Sequence, residues 1–220
     1  MPDLSSFLPS ILIFLVAVVM LWFAFGTGTN IKRGNELLRW LQGGLPKLGH
    51  KATLRWLGSS AVELRLSLPL DPFREVTILA VMEPRDVPLL WAFARARGRR
   101  DFLIFRTSLR RAPVVELEIV DPTGWAGHKT EDNDAGWTKV DWGKGIQAAA
   151  TTDDPVTLAG ARQAWDRILA QSGGIWRLSV RQTVPHLEVH LRPPNTATAH
   201  ADALIEALRD LGLELVRDGH

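Results

Sequence analysis

Residues Leu8 to Phe25, LPSILIFLVAVVMLWFAF, form an uninterrupted run with no charge and almost no polarity. As a helix rising about 1.5 Å per residue, the run covers roughly 27 Å, close to the thickness of a bilayer's hydrocarbon core. Whatever follows must then fold beside a membrane. A cleaved signal peptide would begin with basic residues and end on a small-residue cleavage site. Here the start is Met1-Pro2-Asp3, and Phe25-Gly26-Thr27-Gly28-Thr29 follows the run. The core helix of a soluble protein would carry a polar face, which the run lacks. The expectation is an uncleaved anchor, with the lipid bilayer engaged through residues 8–25.

Flanking charge sets the expected orientation. Lys32, Arg33, Arg39, Lys47 and Lys51 follow the run, whereas Asp3 alone precedes it. Cations concentrate on the cytoplasmic side. This predicts a single-pass cell-membrane protein, N-terminus outside and C-terminal domain cytoplasmic. Its expected parts are a tail and transmembrane anchor (1–29), a juxtamembrane helix and connector (30–51), and a cytoplasmic domain (52–220). That last part, about 170 residues, is long enough to bury a core of its own. The chain contains neither Cys nor Tyr. This excludes a lipoprotein anchor, disulfides, thiolate metal sites and a cysteine nucleophile.

Periodicity predicts an α+β domain. Asn30 to Gln42 reads as a short helix capped by Asn30. Thr53 to Leu57 and Ala61 to Leu68 read as a hairpin about Gly58-Ser59-Ser60, and Val62, Leu64, Leu66 and Leu68 alternate with Glu63, Arg65 and Ser67. Val76 to Met82 is apolar on both faces, as a central strand would be. A helix follows over Asp86 to Ala96 with Asp86 as its cap. Phe102 to Thr107 and Val114 to Val120 are strands, as is Ile146 to Thr151. Pro155 opens a helix to about Gln171, capped by Asp153 or Asp154. Trp176 to Arg181 and His186 to Arg192 form a second hairpin, and Thr196 to Leu211 the last helix. The stretches 76–122 and 146–194 share their order of strands, helix and prolines. Trp91 to Phe102 and Trp165 to Trp176 have equal spacing. This suggests a duplicated β-α-β-β unit. The expected architecture is two layers, a mainly antiparallel sheet with helices on one face.

Charge is unevenly spread. Arg95, Arg97, Arg99, Arg100, Arg106, Arg110 and Arg111 lie within seventeen residues against Asp101, while nine acids against three lysines fill Glu116 to Asp154. Guanidinium forks suit phosphate, so this cluster is the leading candidate for binding an anion or an acidic partner. Internal pairing with the acidic stretch is the bland alternative. The long loop Gly124 to Gly145 holds Trp125, Trp137 and Trp142, candidates for docking a partner or for packing back on the domain. Its His128, Glu131 and Asp132-Asn133-Asp134 lack the spacing of a calcium loop.

The string His186-Leu187-Glu188-Val189-His190 would put two imidazoles and a carboxylate on one strand face. Residues two apart in a strand are separated by about 6.6 Å, so the histidines stand too far apart for one ion. The better reading is a wet strand face with Glu188 paired to Arg177 or Arg181 across the hairpin. No metal and no cofactor are expected, no catalytic set is evident, and no nucleotide or nucleic-acid motif occurs. The expectation is a membrane-anchored, non-enzymatic interaction or assembly module with a protein partner. Anionic lipid is a second partner class, and nucleic acid is disfavoured. The alternatives are a membrane-bound enzyme acting on a phosphate-bearing substrate, and a sensor of anionic lipid or phosphate.

Overall fold

The computed structural model describes residues 4–122, 124, 136–143 and 145–217. Its helices are α1 (Leu4–Gln42), α2 (Pro88–Ala96), α3 (Pro155–Gln171) and α4 (Ala201–Arg217), with a 3-10 turn at Leu45–Lys47. The strands are β1 (Gly49–Trp56), β2 (Ala61–Pro69), β3 (Phe73–Val81), β4 (Phe102–Leu109), β5 (Leu117–Val120), β6 (Thr138–Asp141), β7 (Gln147–Ala150), β8 (Ile175–Val180) and β9 (Leu187–Leu191). The nine strands make one antiparallel sheet in the order β1-β2-β3-β4-β9-β8-β5-β7-β6.

Strand register explains why the sheet has two unlike faces. Leu64, Ile78, Phe105, Val189, Leu178, Ile119 and Ala148 lie opposite one another in one row across seven strands. One residue along, the row reads Arg65, Thr77, Arg106, Glu188, Ser179, Glu118 and Ala149. Successive side chains point to opposite faces, so the first row is apolar and the second polar. The apolar face forms one core with Leu37, Leu38 and Leu41 of α1, Trp165 and Ile168 of α3, and Leu204, Ile205, Leu208 and Leu211 of α4. Each such large side chain, when fully buried, contributes roughly 1.5–3 kcal/mol. The result is the expected α+β architecture, with α1, α3 and α4 packed on the apolar face.

The long helix differs from expectation. No cap forms at Asn30, and α1 runs unbroken for 39 residues, roughly 58 Å. It is long and apolar enough to cross a membrane, and its most apolar 18-residue stretch buries none of itself against the rest of the chain. From Gly26 onward, Gly26, Asn30, Gly34, Leu37, Leu38 and Leu41 recur every three or four residues and are buried. That spacing places them on one helix face, turned to the domain. The helix that carries the exposed apolar run therefore continues without a break into the core.

Three smaller differences have local causes. Asp86 does not cap α2. Its carboxylate accepts a 2.6 Å hydrogen bond from the Ser59 hydroxyl, and the helix starts at Pro88 with Val87 at its cap position. Residues 196–199 are not helical. The Asn195 side chain and carbonyl hold Ala197 and Ala199 in a turn, which delays α4 to Ala201. β6 lies inside the stretch expected to be loop, as an exposed edge strand. The expected cap at Asp154 does form, and the Asp154 carboxylate accepts from the Thr157 amide at 2.8 Å. The two similar stretches pair differently. β3 lies directly against β4, whereas β5 lies between β7 and β8.

Candidate functional site

A polar network of Asn30, Glu83, Arg85, Arg95 and Asp101 lies where α1 meets the end of β3. It begins with a glycine. A Cβ on Gly26 would sit 2.2 Å from the Arg85 carbonyl oxygen, so only glycine allows the two backbones this close. Trp22 Nε1 donates to that same oxygen at 2.9 Å. One turn beyond Gly26, the buried Asn30 accepts from Arg85 Nη1 at 3.0 Å. Asn30 is thus a docking residue rather than a helix cap.

Arg85 organises what surrounds it. Its guanidinium grips Asp101 through two hydrogen bonds of 2.8 and 3.1 Å. Asp101 Oδ1 also accepts the Glu83 amide at 2.8 Å, which ties the end of β3 to the start of β4. The Glu83 side chain is only 3% exposed and lies 3.3 Å from Arg85. It accepts from Trp91 Nε1 at 2.7 Å and from Arg95 Nη1 at 3.1 Å. A carboxylate this buried survives because cations and an indole replace its lost water. The network joins α1, the β3–α2 link, α2 and β4.

A cleft of about 300 Å³ opens beside this network. Arg33, Arg85, Arg95, Arg100 and Arg192 line it together with Glu36, Glu83 and Asp101. Five guanidinium groups against three carboxylates leave the cleft net positive. Arg33 and Arg95 remain about half exposed, at 56% and 49%. Such a cleft suits a small anion or an acidic side chain. A larger groove of about 680 Å³ lies between α3, α4 and the approach to β5, lined largely by apolar side chains such as Val114, Val156 and Leu215.

The seven arginines picked from sequence do not form one patch. Arg95 and Arg100 reach the cleft, and Arg100 Nη1 donates to the Arg95 and Arg99 carbonyls. The Arg97 guanidinium stacks over Phe93, 4.1 Å from the ring centre. Burial lowers the Arg99 pKa from its ordinary value. Arg106 pairs with Glu188 at 2.6 Å and Arg110 with Asp71, while Arg111 is exposed. The acids that take up Arg95, Arg106 and Arg110 lie outside the acidic stretch 116–154. Within that stretch the buried Glu118 bridges Arg177 and Arg181 on β8 and just after it.

Of the three loop tryptophans, Trp125 falls outside the described residues, with His128, Glu131, Asp132, Asn133 and Asp134. Trp137 lies under the Arg181 guanidinium at 4.7 Å, and Trp142 under that of Arg162 at 5.3 Å. Trp142 also packs against the core. The histidine string divides. His186 precedes β9 and is buried, its Nδ1 accepting the Leu109 amide at 2.9 Å. Glu188 sits between Arg106 and His190, 2.6 Å from each. Burial opposes ionisation of Glu188, but hydrogen bonds and charge from His190 and Arg106 outweigh it and hold the pKa at about 2. The expected Glu188 pairing with Arg177 or Arg181 is replaced by Arg106, because β9 also pairs with β4. Among the described residues no three His, Asp or Glu groups converge as a metal site. No family model and no curated protein matches this chain.

Proposed function

We propose that the chain is a single-pass membrane protein whose C-terminal α+β domain acts as a non-enzymatic interaction or assembly module at the bilayer surface. The observation that carries this reading is the continuity of α1, exposed and apolar through Phe25 and then buried in the domain core from Leu37. An exposed apolar run of this length needs a nonaqueous surrounding. The cations at Lys32, Arg33, Arg39, Lys47 and Lys51 favour the cytoplasm for the domain. Interaction is favoured over catalysis because Glu83, Glu118, Glu188 and His186 are each engaged in bonds that hold the fold together. A sensor or enzyme for a phosphate-bearing ligand is the second reading, and the net-positive cleft is what favours it. A duplicated β-α-β-β origin is kept as a reading of the matched sequence spacing alone.

Alkaline extraction of native membranes and a reporter fused after His220 test the proposal. Retention in the membrane pellet with a cytoplasmic reporter signal is expected. Release into the supernatant, or a chain cut near Gly26, overturns the anchor, and a reporter signal from outside overturns the orientation. Turnover of a phosphate ester by the purified full chain, lost in Arg33→Gln, would favour the enzyme reading.

A further inference from the structure

The geometry points to α2 as a second membrane contact: Val87, Leu89, Leu90 and Phe93 enter the interfacial zone of the bilayer that α1 crosses. This inference rests on the reading of α1 as the anchor. The first support is an inverted pattern of burial. All four side chains are exposed, Leu89 at 85% and Phe93 at 55%, while Ala94 alone of the helix is buried. A helix that packed by its apolar face on the core would show the reverse. Four large apolar side chains within seven residues also exceed the scattered exposure of an ordinary surface.

The second support is height along α1. The Trp22 and Trp91 rings lie 6.1 Å apart, and Trp22 also bonds the Arg85 carbonyl. Trp22 belongs to the apolar run, so α2 lies beside the last turn of that run rather than above it. Tryptophan favours the headgroup level, and here two share it. Leu57, exposed in the β1–β2 turn, joins the same edge, since the neighbouring Ser59 bonds Asp86. The Trp22–Trp91 contact sets α2 beside α1, whose own Phe23 and Phe25 are exposed. Any cover for the ridge must therefore tolerate the same apolar surroundings as α1.

Charge supplies the third support. Arg97 is exposed and lays its guanidinium over Phe93, whereas Arg95 is held by Glu83 and Arg100 by backbone carbonyls. An exposed apolar ridge with an arginine at its rim matches an interfacial helix, whose cation reaches the phosphates while the ridge enters the acyl boundary.

The absence of cysteine allows a direct test with the full chain in phosphatidylcholine–phosphatidylglycerol vesicles. Leu89→Cys and Phe93→Cys are labelled with an environment-sensitive fluorophore and challenged with lipids spin-labelled near the headgroup. Val18→Cys, inside the apolar run, reports on the anchor with lipids labelled deep in the acyl chain. Val184→Cys serves as the distant control. It precedes β9, whose first residue pairs with Thr107, five residues along β4 from the α2 end. Labels at 89 and 93 are expected to lose about half their emission to shallow quencher, and the label at 184 none. Quenching at 18 without quenching at 89 and 93 overturns the α2 contact and leaves the anchor standing. Quenching at none of the four overturns both. Labels at 89 and 93 shielded from lipid quencher and from aqueous iodide alike would show a protein on the ridge, and this also overturns the proposal.

Discussion

Gly26 and Arg85 meet backbone to backbone, 59 positions apart in the chain, and the Arg85 carbonyl at this contact also receives the Trp22 indole hydrogen. A side chain on Gly26 must push the two segments apart. Gly26→Val is therefore expected to destabilise the chain by about 1–3 kcal/mol. Gly28→Ala is the matched control, since a Cβ there meets nothing within 4 Å. It is expected to stabilise by roughly 0.5–1 kcal/mol, as alanine does in place of glycine within a helix. Thermal melting of the full chain in detergent separates the two.

Asp101 neutralises a guanidinium that has little other access to water. Asp101→Ala leaves Arg85 short of its main partner and frees the Glu83 amide. A loss of about 3 kcal/mol is expected from breaking such a buried pair. Asp166→Ala, which removes an exposed pair with Arg162 one helical turn away, is expected to change stability by under about 0.5 kcal/mol. Urea unfolding midpoints of both variants check the contrast.

The Glu188 pKa is lowered in the folded state from an ordinary value of 4.5 to about 2. The unfolded chain therefore binds a proton first as pH falls, and folding stability drops with it. The contribution of Glu188 is complete above 4.5, declines below that value and is gone below about 2. Glu188→Gln is expected to be less stable than the parent at pH 6. The gap should close as pH falls through this window, and a gap independent of pH would contradict the assignment. Urea midpoints at a series of pH values provide the measurement.

His186→Ala removes the acceptor of a buried backbone amide, that of Leu109. Leaving that donor unpaired costs about 1–3 kcal/mol. Bound metal is expected to be the same in His186→Ala, His190→Ala and the parent. Calorimetry and elemental analysis of the three proteins check both statements, and stoichiometric metal lost in either variant would refute the structural role.

Much of the domain was legible because its local signals agree with its tertiary packing. The alternation from Val62 to Leu66 marks β2 and its buried face, and Asp154 before Pro155 marks the start of α3. The last helix showed its buried stripe, Leu204, Ile205, Leu208 and Leu211, although Asn195 postpones its beginning. β6 was not legible, since an edge strand with both faces wet needs no apolar alternation. Glu188 suggested its own hairpin partners, but β4, more than eighty residues earlier, supplies the arginine. Sequence spacing within one hairpin carries no information on such a distant neighbour.

The foot of α1 was misread for a different reason. The sequence ends the anchor segment at residue 29 and starts a separate short helix at Asn30, with Asn30 as its cap. The signal that identifies the site is the recurrence of Gly26, Asn30 and Gly34 at four-residue intervals, followed by Leu37, Leu38 and Leu41. That period describes a packed helix face with two positions kept small for close approach. Arg85 had no comparable signal, since it stands in no run and its partners Asn30 and Asp101 are distant in the chain.

An unbroken α1 makes length and angle inseparable. Each residue added between Gly26 and Leu37 would lift the sheet by about 1.5 Å and also swing it through about 100° around the helix axis. One insertion would turn the Gly26 face away from Arg85 while Leu37, Leu38 and Leu41 stayed in the core. Three or four insertions would restore the heading but displace it by about a full turn, beyond the reach of the Asn30 side chain. The chain thus tolerates few changes of length in this segment, and its gearing is set by the eleven-residue interval between one glycine and one leucine.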